Sequence, residues 1–257
     1  MSVFADVQAV LCDMDGVLVH GSQIIPGAPE FLARLRASGR RFLVLTNNSI
    51  YTTRDLQARL ARTGLELAPE EIYTSALATA QFLDTQRPNG TAFVIGETGL
   101  TTALYEVGYT QTEHEPDYVV IGETMSYSFE RITQAVRLVA AGARLIGTNP
   151  DVSGPSERGL VPACGAVVAL IQAATGAQAY FVGKPNPVMM RTALRTIDAH
   201  AVEAMMIGDR MDTDIIGGTE AGMRTALVLS GVMNRGDAER YPYRPSAIID
   251  SVADLFN

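Results

Sequence analysis

Short apolar runs alternate with stretches of helical period along the whole chain. Runs at 9–12, 41–45, 72–74, 91–95, 117–121, 144–146, 204–207, 224–229 and 247–249 are too short for helices and read as buried strands. Between them, helices are expected through Glu30 to Arg36, and at 76–83, 100–107, 129–141, 163–174, 188–199 and 215–221. Ile132, Ala135, Val136 and Val139 share one face of the fourth of these. A further helix opens at Thr52-Thr53-Arg54-Asp55 and stops at Gly64, while 153–159 reads as a polar loop. Strands alternating with helices of this length make parallel sheets with crossover helices. The expected fold is therefore α/β, with a doubly wound parallel sheet.

The polar residues at the ends of the strands are unusual. Four apolar residues, Ala9 to Cys12, run straight into Asp13-Met14-Asp15-Gly16. A second strand ends in Thr46-Asn47, a later one in Gly208-Asp209 with Asp214 beyond it, and Lys184 opens the helical stretch just before. Carboxylates at a buried strand end are costly unless they bind a cation or do chemistry. In a doubly wound sheet the carboxyl ends of the strands meet where ligands sit. The stretch from about 80 to 179 has its own strand–helix alternation and lies between elements that carry this chemistry. The expected organisation is a core of 1–79 and 180–257, interrupted by an inserted α/β domain at 80–179.

Each of these residues suits a job. Asp13 and Asp209 come from different strands and offer an oxygen-only site fitting Mg²⁺. The backbone carbonyl of Asp15 is a third candidate ligand, and Asp214 can orient the ligands from behind. The Thr46 hydroxyl and the Asn47 backbone N–H, near a helix N-terminus, can hold phosphate oxygens. Lys184 can neutralise the phosphate. Asn149 and Asp151 end a strand of the inserted domain and suit either contact with a leaving group or ordinary Asn-Pro-Asp turn chemistry.

Composition narrows the setting. Of 20 basic residues 19 are Arg, and Lys184 is the single Lys. An ammonium is a compact point charge where guanidinium is a broad fork, so position 184 reads as one that needs an ammonium. The net charge of -8 argues against nucleic acid or an acidic membrane surface as partner. No apolar run is long enough for a bilayer, no signal peptide is recognisable, and Cys12 and Cys164 cannot make a disulfide framework. A cytoplasmic location is expected. Cys12, turned off the Asp13 face by strand alternation, and Cys164 read as core residues.

Competing motifs fail. Gly16 comes too early for a calcium loop begun at Asp13, whose twelfth position is Ile24; a loop begun at Asp212 has Met223 where the bidentate Glu belongs. Gly183-Lys184 lacks the preceding Gly and the following Ser or Thr of a phosphate-binding nucleotide loop.

Four motifs in order, Asp13-Met14-Asp15-Gly16-Val17-Leu18, Thr46-Asn47-Asn48-Ser49, Gly183-Lys184-Pro185 and Gly208-Asp209 through Asp214, resemble those of the haloacid dehalogenase-like phosphatases. The insertion resembles the α/β cap of class IIA members. Gly147-Thr148-Asn149-Pro150-Asp151, Pro162-Ala163-Cys164-Gly165-Ala166 and Leu229-Ser230-Gly231-Val232 extend the likeness to the NagD subfamily of nucleotide and sugar phosphatases. That resemblance implies a Mg²⁺-dependent phosphomonoester hydrolase. Asp13 would form an aspartyl-phosphate, Asp15 would act as acid and then base, and the cap would exclude water and choose the leaving group. It implies a small phosphate ester as substrate, UMP first, with sugar phosphates and p-nitrophenyl phosphate as alternatives. It also suggests a homodimer paired through the cap. The rival is a phosphate-ligand binder or phosphoaspartyl signalling domain, which needs neither the leaving-group acid Asp15 nor a large lid.

Overall fold

The strand Ala9–Asp13 is buried along its whole length and lies at the centre of a six-stranded sheet. In this computed structural model, which describes residues 4, 6–156 and 159–256, the order across that sheet is Ala247–Ile249, Arg224–Val228, Ala204–Gly208, Ala9–Asp13, Arg41–Thr46 and Ile72–Thr74. Both neighbours of Ala9–Asp13 pair with it in parallel. The chain leaves the first strand towards Arg41–Thr46 on one side and returns at Ala204–Gly208 on the other. The carboxyl end of Ala9–Asp13 therefore stands at the switch point of a doubly wound sheet, and the expected α/β class holds.

The chain divides into two units. The first comprises Met1–Thr46, Thr53–Tyr73 and Lys184–Asn257, and the second Asn47–Thr52 and Thr74–Gly183. These limits differ from 80 and 179. The helix Ser75–Gln86 packs against Thr98–Glu106 of the second unit, and the strand Tyr180–Phe181 pairs with Arg144–Gly147 there. Apolar periodicity says where a helix lies but not which sheet it packs on.

The second unit has its own five-stranded parallel sheet, in the order Tyr180–Phe181, Arg144–Gly147, Tyr118–Ile121, Thr91–Ile95, Thr110–Gln111. Its core gathers Phe93, Val119, Ile121, Ile132, Leu145, Val168 and Ile171. Cys164 belongs to this core, and the helix Cys164–Thr175 buries Val167, Val168 and Ile171 within its own unit.

Three local features are not evident from hydropathy. The stretch 153–159, expected as a polar loop, instead contributes strand Ser153–Ser156, paired antiparallel with Gly159–Pro162; residues 157 and 158 lie outside the described residues. A π-helical turn, Met211–Ile215, leads directly into the helix Ile216–Glu220. A small hairpin, Val19–His20 with Gln23–Ile24, follows the Asp15 turn. Among the described residues, no helix is long and apolar enough to cross a membrane.

Candidate active site

Strand register sets the first placements. Asp13 lies opposite Leu45, so Thr46 is one residue further along the neighbouring strand. Cys12 lies opposite Ile207 on the other side, which sets Asp13 level with Gly208 and Asp209 one step beyond. Asp13, Thr46 and Asp209 are all buried at these strand ends.

Lys184 joins two of the carboxylates. Its Nζ lies 2.6 Å from Asp13 Oδ1 and 2.7 Å from Asp214 Oδ1, and the ammonium is buried with them. The backbone N–H of Met14 also donates to Asp13 Oδ1, at 2.8 Å. Asp214 is fully buried, and its Oδ2 accepts from the backbone N–H of Arg210 at 3.2 Å. Asp214 is thus tied into the group rather than standing as a charge at a helix start. The π-helical turn is what carries its side chain back over Gly208, where any side chain would collide with the carboxylate. Asp212 instead pairs with Arg210 at the surface.

Asp209 is held from the other side. Its Oδ2 accepts from the Val232 N–H at 2.7 Å, and Ser230 Oγ donates to the Gly16 carbonyl at 2.8 Å. Gly16 sits at φ +79, and a Cβ there would run into the Asp209 carboxylate. Only glycine meets both demands at low cost. The loop after strand Arg224–Val228 is therefore part of the site, although the sequence reading gave Ser230 and Val232 no role. Its signal was a further strand end finishing in Ser-Gly.

Charge shapes this cluster. Burial, and then the negative charge of Asp214, raise the pKa of Asp13 well above the usual carboxylate value, against the pull of Lys184. Burial and Asp214 likewise push Asp209 up to about 6. Burial acts to discharge Lys184, but Asp13 and Asp214 outweigh it and keep the ammonium charged. The ligand oxygens of Asp13, Asp209 and Asp214 all lie within 4.8 Å of one another. With all three carboxylates ionised, the one ammonium leaves a surplus of two negative charges, the charge of one divalent cation. An all-oxygen donor set suits a hard cation, so the residues fit Mg²⁺.

Asp15 is the exposed carboxylate of the group, between buried Met14 and Gly16. The turn that presents it is closed by Gly16 N–H to the Val19 carbonyl at 2.7 Å and Leu18 N–H to the Met14 carbonyl at 2.9 Å. Partial loss of hydration raises its pKa, with Lys184 and His20 opposing.

Asn47, Asn149 and Asp151 come together in the second unit. Asn47 Nδ2 donates to Asp151 Oδ2 at 2.9 Å, and Asn149 Nδ2 donates to the Asn47 carbonyl at 3.0 Å. Asn48 makes a local turn, its Oδ1 accepting from the N–H groups of Ile50 and Tyr51. Ser49 is buried and accepts from the Glu123 N–H at 2.8 Å.

Known proteins are similar to this chain in sequence and in fold. Residues 10–110 match the haloacid dehalogenase-like hydrolase model, and residues 181–255 match a second hydrolase model of the same superfamily. The chain is 57% identical over 245 residues to a dihydroxyacetone phosphatase of Corynebacterium glutamicum, covering 95% of this chain and 89% of that protein. It is 44% identical over 249 residues to the ribonucleotide monophosphatase NagD of Escherichia coli, covering 97% and 98%. The solved NagD structure superposes with a TM-score of 0.92 over 96% of this chain and 98% of that one. A 4-nitrophenylphosphatase from Thermotoga maritima, 30% identical, superposes with a TM-score of 0.92 over 97% and 96%. The chain belongs to the haloacid dehalogenase-like hydrolases, and within them to the NagD-like class IIA phosphatases.

Proposed function

We propose that this phosphatase hydrolyses phosphomonoesters through an aspartyl-phosphate on Asp13, with Mg²⁺ as cofactor and dihydroxyacetone phosphate as preferred substrate. The observation that carries the reading is the buried cluster of Asp13, Lys184, Asp214 and Asp209 at neighbouring strand ends. Lys184 holds Asp13 in one orientation, as in-line attack requires.

Asp13 Oδ attacks phosphorus, and the bond from phosphorus to the ester oxygen breaks. The departing oxygen takes its proton from Asp15, whose raised pKa favours the acid form this step needs. Water then attacks the phosphorus of the aspartyl-phosphate and gives a proton to Asp15. Inorganic phosphate leaves, and the Asp13 carboxylate is restored. Thr46, the Asn47 N–H and Lys184 hold the phosphoryl oxygens as charge shifts onto them. Asp13, Asp209 and the Asp15 carbonyl would hold Mg²⁺, with Asp214 within reach of the same site. When bound, the cation neutralises phosphoryl charge and lets Asp13 approach an anion.

The substrate preference follows the relative that is 57% identical over 95% of the chain. NagD, at 44%, supports ribonucleoside monophosphates such as UMP as the second reading. A panel of p-nitrophenyl phosphate, dihydroxyacetone phosphate, UMP and a hexose phosphate separates the two. Turnover is expected with Mg²⁺, to vanish in EDTA and in Asp13→Asn, and to show its highest kcat/KM on dihydroxyacetone phosphate. A higher value on UMP selects the second reading. Turnover that survives EDTA or Asp13→Asn overturns the mechanism.

A further inference from the structure

Asn149 and Asp151 end the strand Arg144–Gly147 and its turn, a place from which they could face a leaving group. Their hydrogen bonds point elsewhere. Asp151 Oδ2 takes the side-chain amide of Asn47 at 2.9 Å. One N–H direction of Asn149 Nδ2 goes to the Asn47 carbonyl at 3.0 Å, and Glu123 Oε1 lies 3.3 Å from the same nitrogen. An amide nitrogen has two donors, so these contacts use both. Asn149 Oδ1 in turn accepts the Asp151 N–H at 3.1 Å, which couples the two side chains. Ser75 Oγ adds a second donor to the Asn47 carbonyl, at 2.7 Å. Gly183 closes the remaining side: a Cβ there would stand 2.8 Å from Asn47 Oδ1. Asn149 and Ser75 are both fully buried.

We propose that Asp151 and Asn149 are positioning residues for phosphate binding. Together they fix the side chain and the peptide plane of Asn47, so that its N–H is presented to the phosphoryl group in one orientation. This rests on the reading of Asn47 as a phosphate-holding residue. Two donors on its carbonyl and a carboxylate on its amide leave Asn47 little rotational freedom before substrate arrives, which lowers the ordering cost of binding. The carboxylate contact is the strong one because its acceptor is charged. Residues that act this way affect every phosphate ester alike, since all share the phosphoryl group. Residues that touch the leaving group discriminate among esters.

The test uses Asp151→Ala and Asp151→Asn in the full chain. Inorganic phosphate serves as competitive inhibitor, with p-nitrophenyl phosphate, dihydroxyacetone phosphate and UMP as three unlike substrates. In Asp151→Ala, the phosphate Ki and the KM of every ester that the wild type turns over are expected to rise together by roughly 3- to 30-fold, the loss of one charge-assisted hydrogen bond. The order of preference among esters stays as it was. Asp151→Asn keeps an acceptor oxygen and is expected to restore Ki and KM to within about threefold of wild type. Asp151→Ser, too short to reach, repeats the measurement should the alanine variant not fold. A rise confined to one ester, or an unchanged phosphate Ki, overturns the positioning role. A wild-type chain that turns over none of the esters overturns the phosphatase reading instead.

Discussion

Lys184 is the one lysine in a chain that otherwise uses arginine throughout, and its surroundings explain the exception. A single buried nitrogen lies 2.6 and 2.7 Å from oxygens of two different carboxylates. A guanidinium would spread its donors over a plane too wide for that gap. Lys184→Arg keeps the charge, yet it is expected to cut kcat by about 10²- to 10³-fold, the usual cost of losing one oriented donor at a reacting oxygen. Steady-state kinetics on p-nitrophenyl phosphate checks this, and activity within a few-fold of wild type would mean that charge alone suffices. Gly16 makes a second case. At φ +79, with its α-carbon against the Asp209 carboxylate, it has room for no side chain. Gly16→Ala is expected to lose roughly 1–2 kcal/mol of stability from the left-handed backbone alone. It should also weaken Mg²⁺ binding, because Asp209 must move. Urea unfolding without metal and a calorimetric Mg²⁺ titration separate these two effects.

At the scale of elements, regular strands and helices were readable because burial on both faces forces unbroken apolar runs. Thr91–Ile95 and Ala247–Ile249 begin and end where hydropathy places them. The paired strands Ser153–Ser156 and Gly159–Pro162 were not, since Gly, Pro and Ser give such a segment no apolar alternation to recognise. The site divides in the same way. Asp13 and Asp209 stood out as carboxylates at buried strand ends, where an unpaired charge demands an explanation, and Lys184 as the single lysine of the chain. Ser49 and Thr148 are 99 residues apart in sequence, and only the folded chain brings their hydroxyls to 3.2 Å. The ion pair tying the helix Ala28–Ala37 to the turn Pro69–Glu71 was equally hidden. Arg36 Nε and Nη2 meet the two oxygens of Glu71 at 3.0 and 2.6 Å, and Glu71 Oε2 also accepts the Ala68 N–H at 2.8 Å. Desolvation works to raise the Glu71 pKa, but the Arg36 and Ala68 hydrogen bonds outweigh it and hold the carboxyl below its ordinary value. A depressed native pKa means stability that is full above the unfolded-state value near 4.5 and is lost as pH falls through the native one. Glu71→Gln is expected to cost about 1 kcal/mol at pH 7, because Arg36 is partly exposed and screened. The difference from wild type should shrink as urea titrations move from pH 5 to pH 3. A difference that stays constant across that range would assign the contact to packing.

At the scale of the whole molecule, the two units differ in what they contribute to stability and to chemistry. Each has its own parallel sheet and its own buried side chains: Leu11, Phe31 and Leu43 in the first, Phe93, Val119 and Val168 in the second. The four side chains bound into the buried charge cluster belong to the first unit alone, whereas Asn47 and the residues that fasten it belong to the second. A chain built in this way can lose one core while keeping the other, because two-state unfolding holds for single domains and not across separate cores. Phe93, 1% exposed at the middle of the second unit's sheet, is the residue to remove. Phe93→Ala is expected to cost the second unit about 3–5 kcal/mol through lost burial and the cavity left behind. Hydrogen exchange should then show protection falling in Thr91–Ile95 and Tyr118–Ile121 well before it falls in Ala9–Asp13 and Ala204–Gly208. The charge cluster of the first unit should survive that step, so Mg²⁺ binding is expected to outlast turnover as temperature rises. Simultaneous loss of protection in both sheets would show instead that the two cores unfold as one cooperative body.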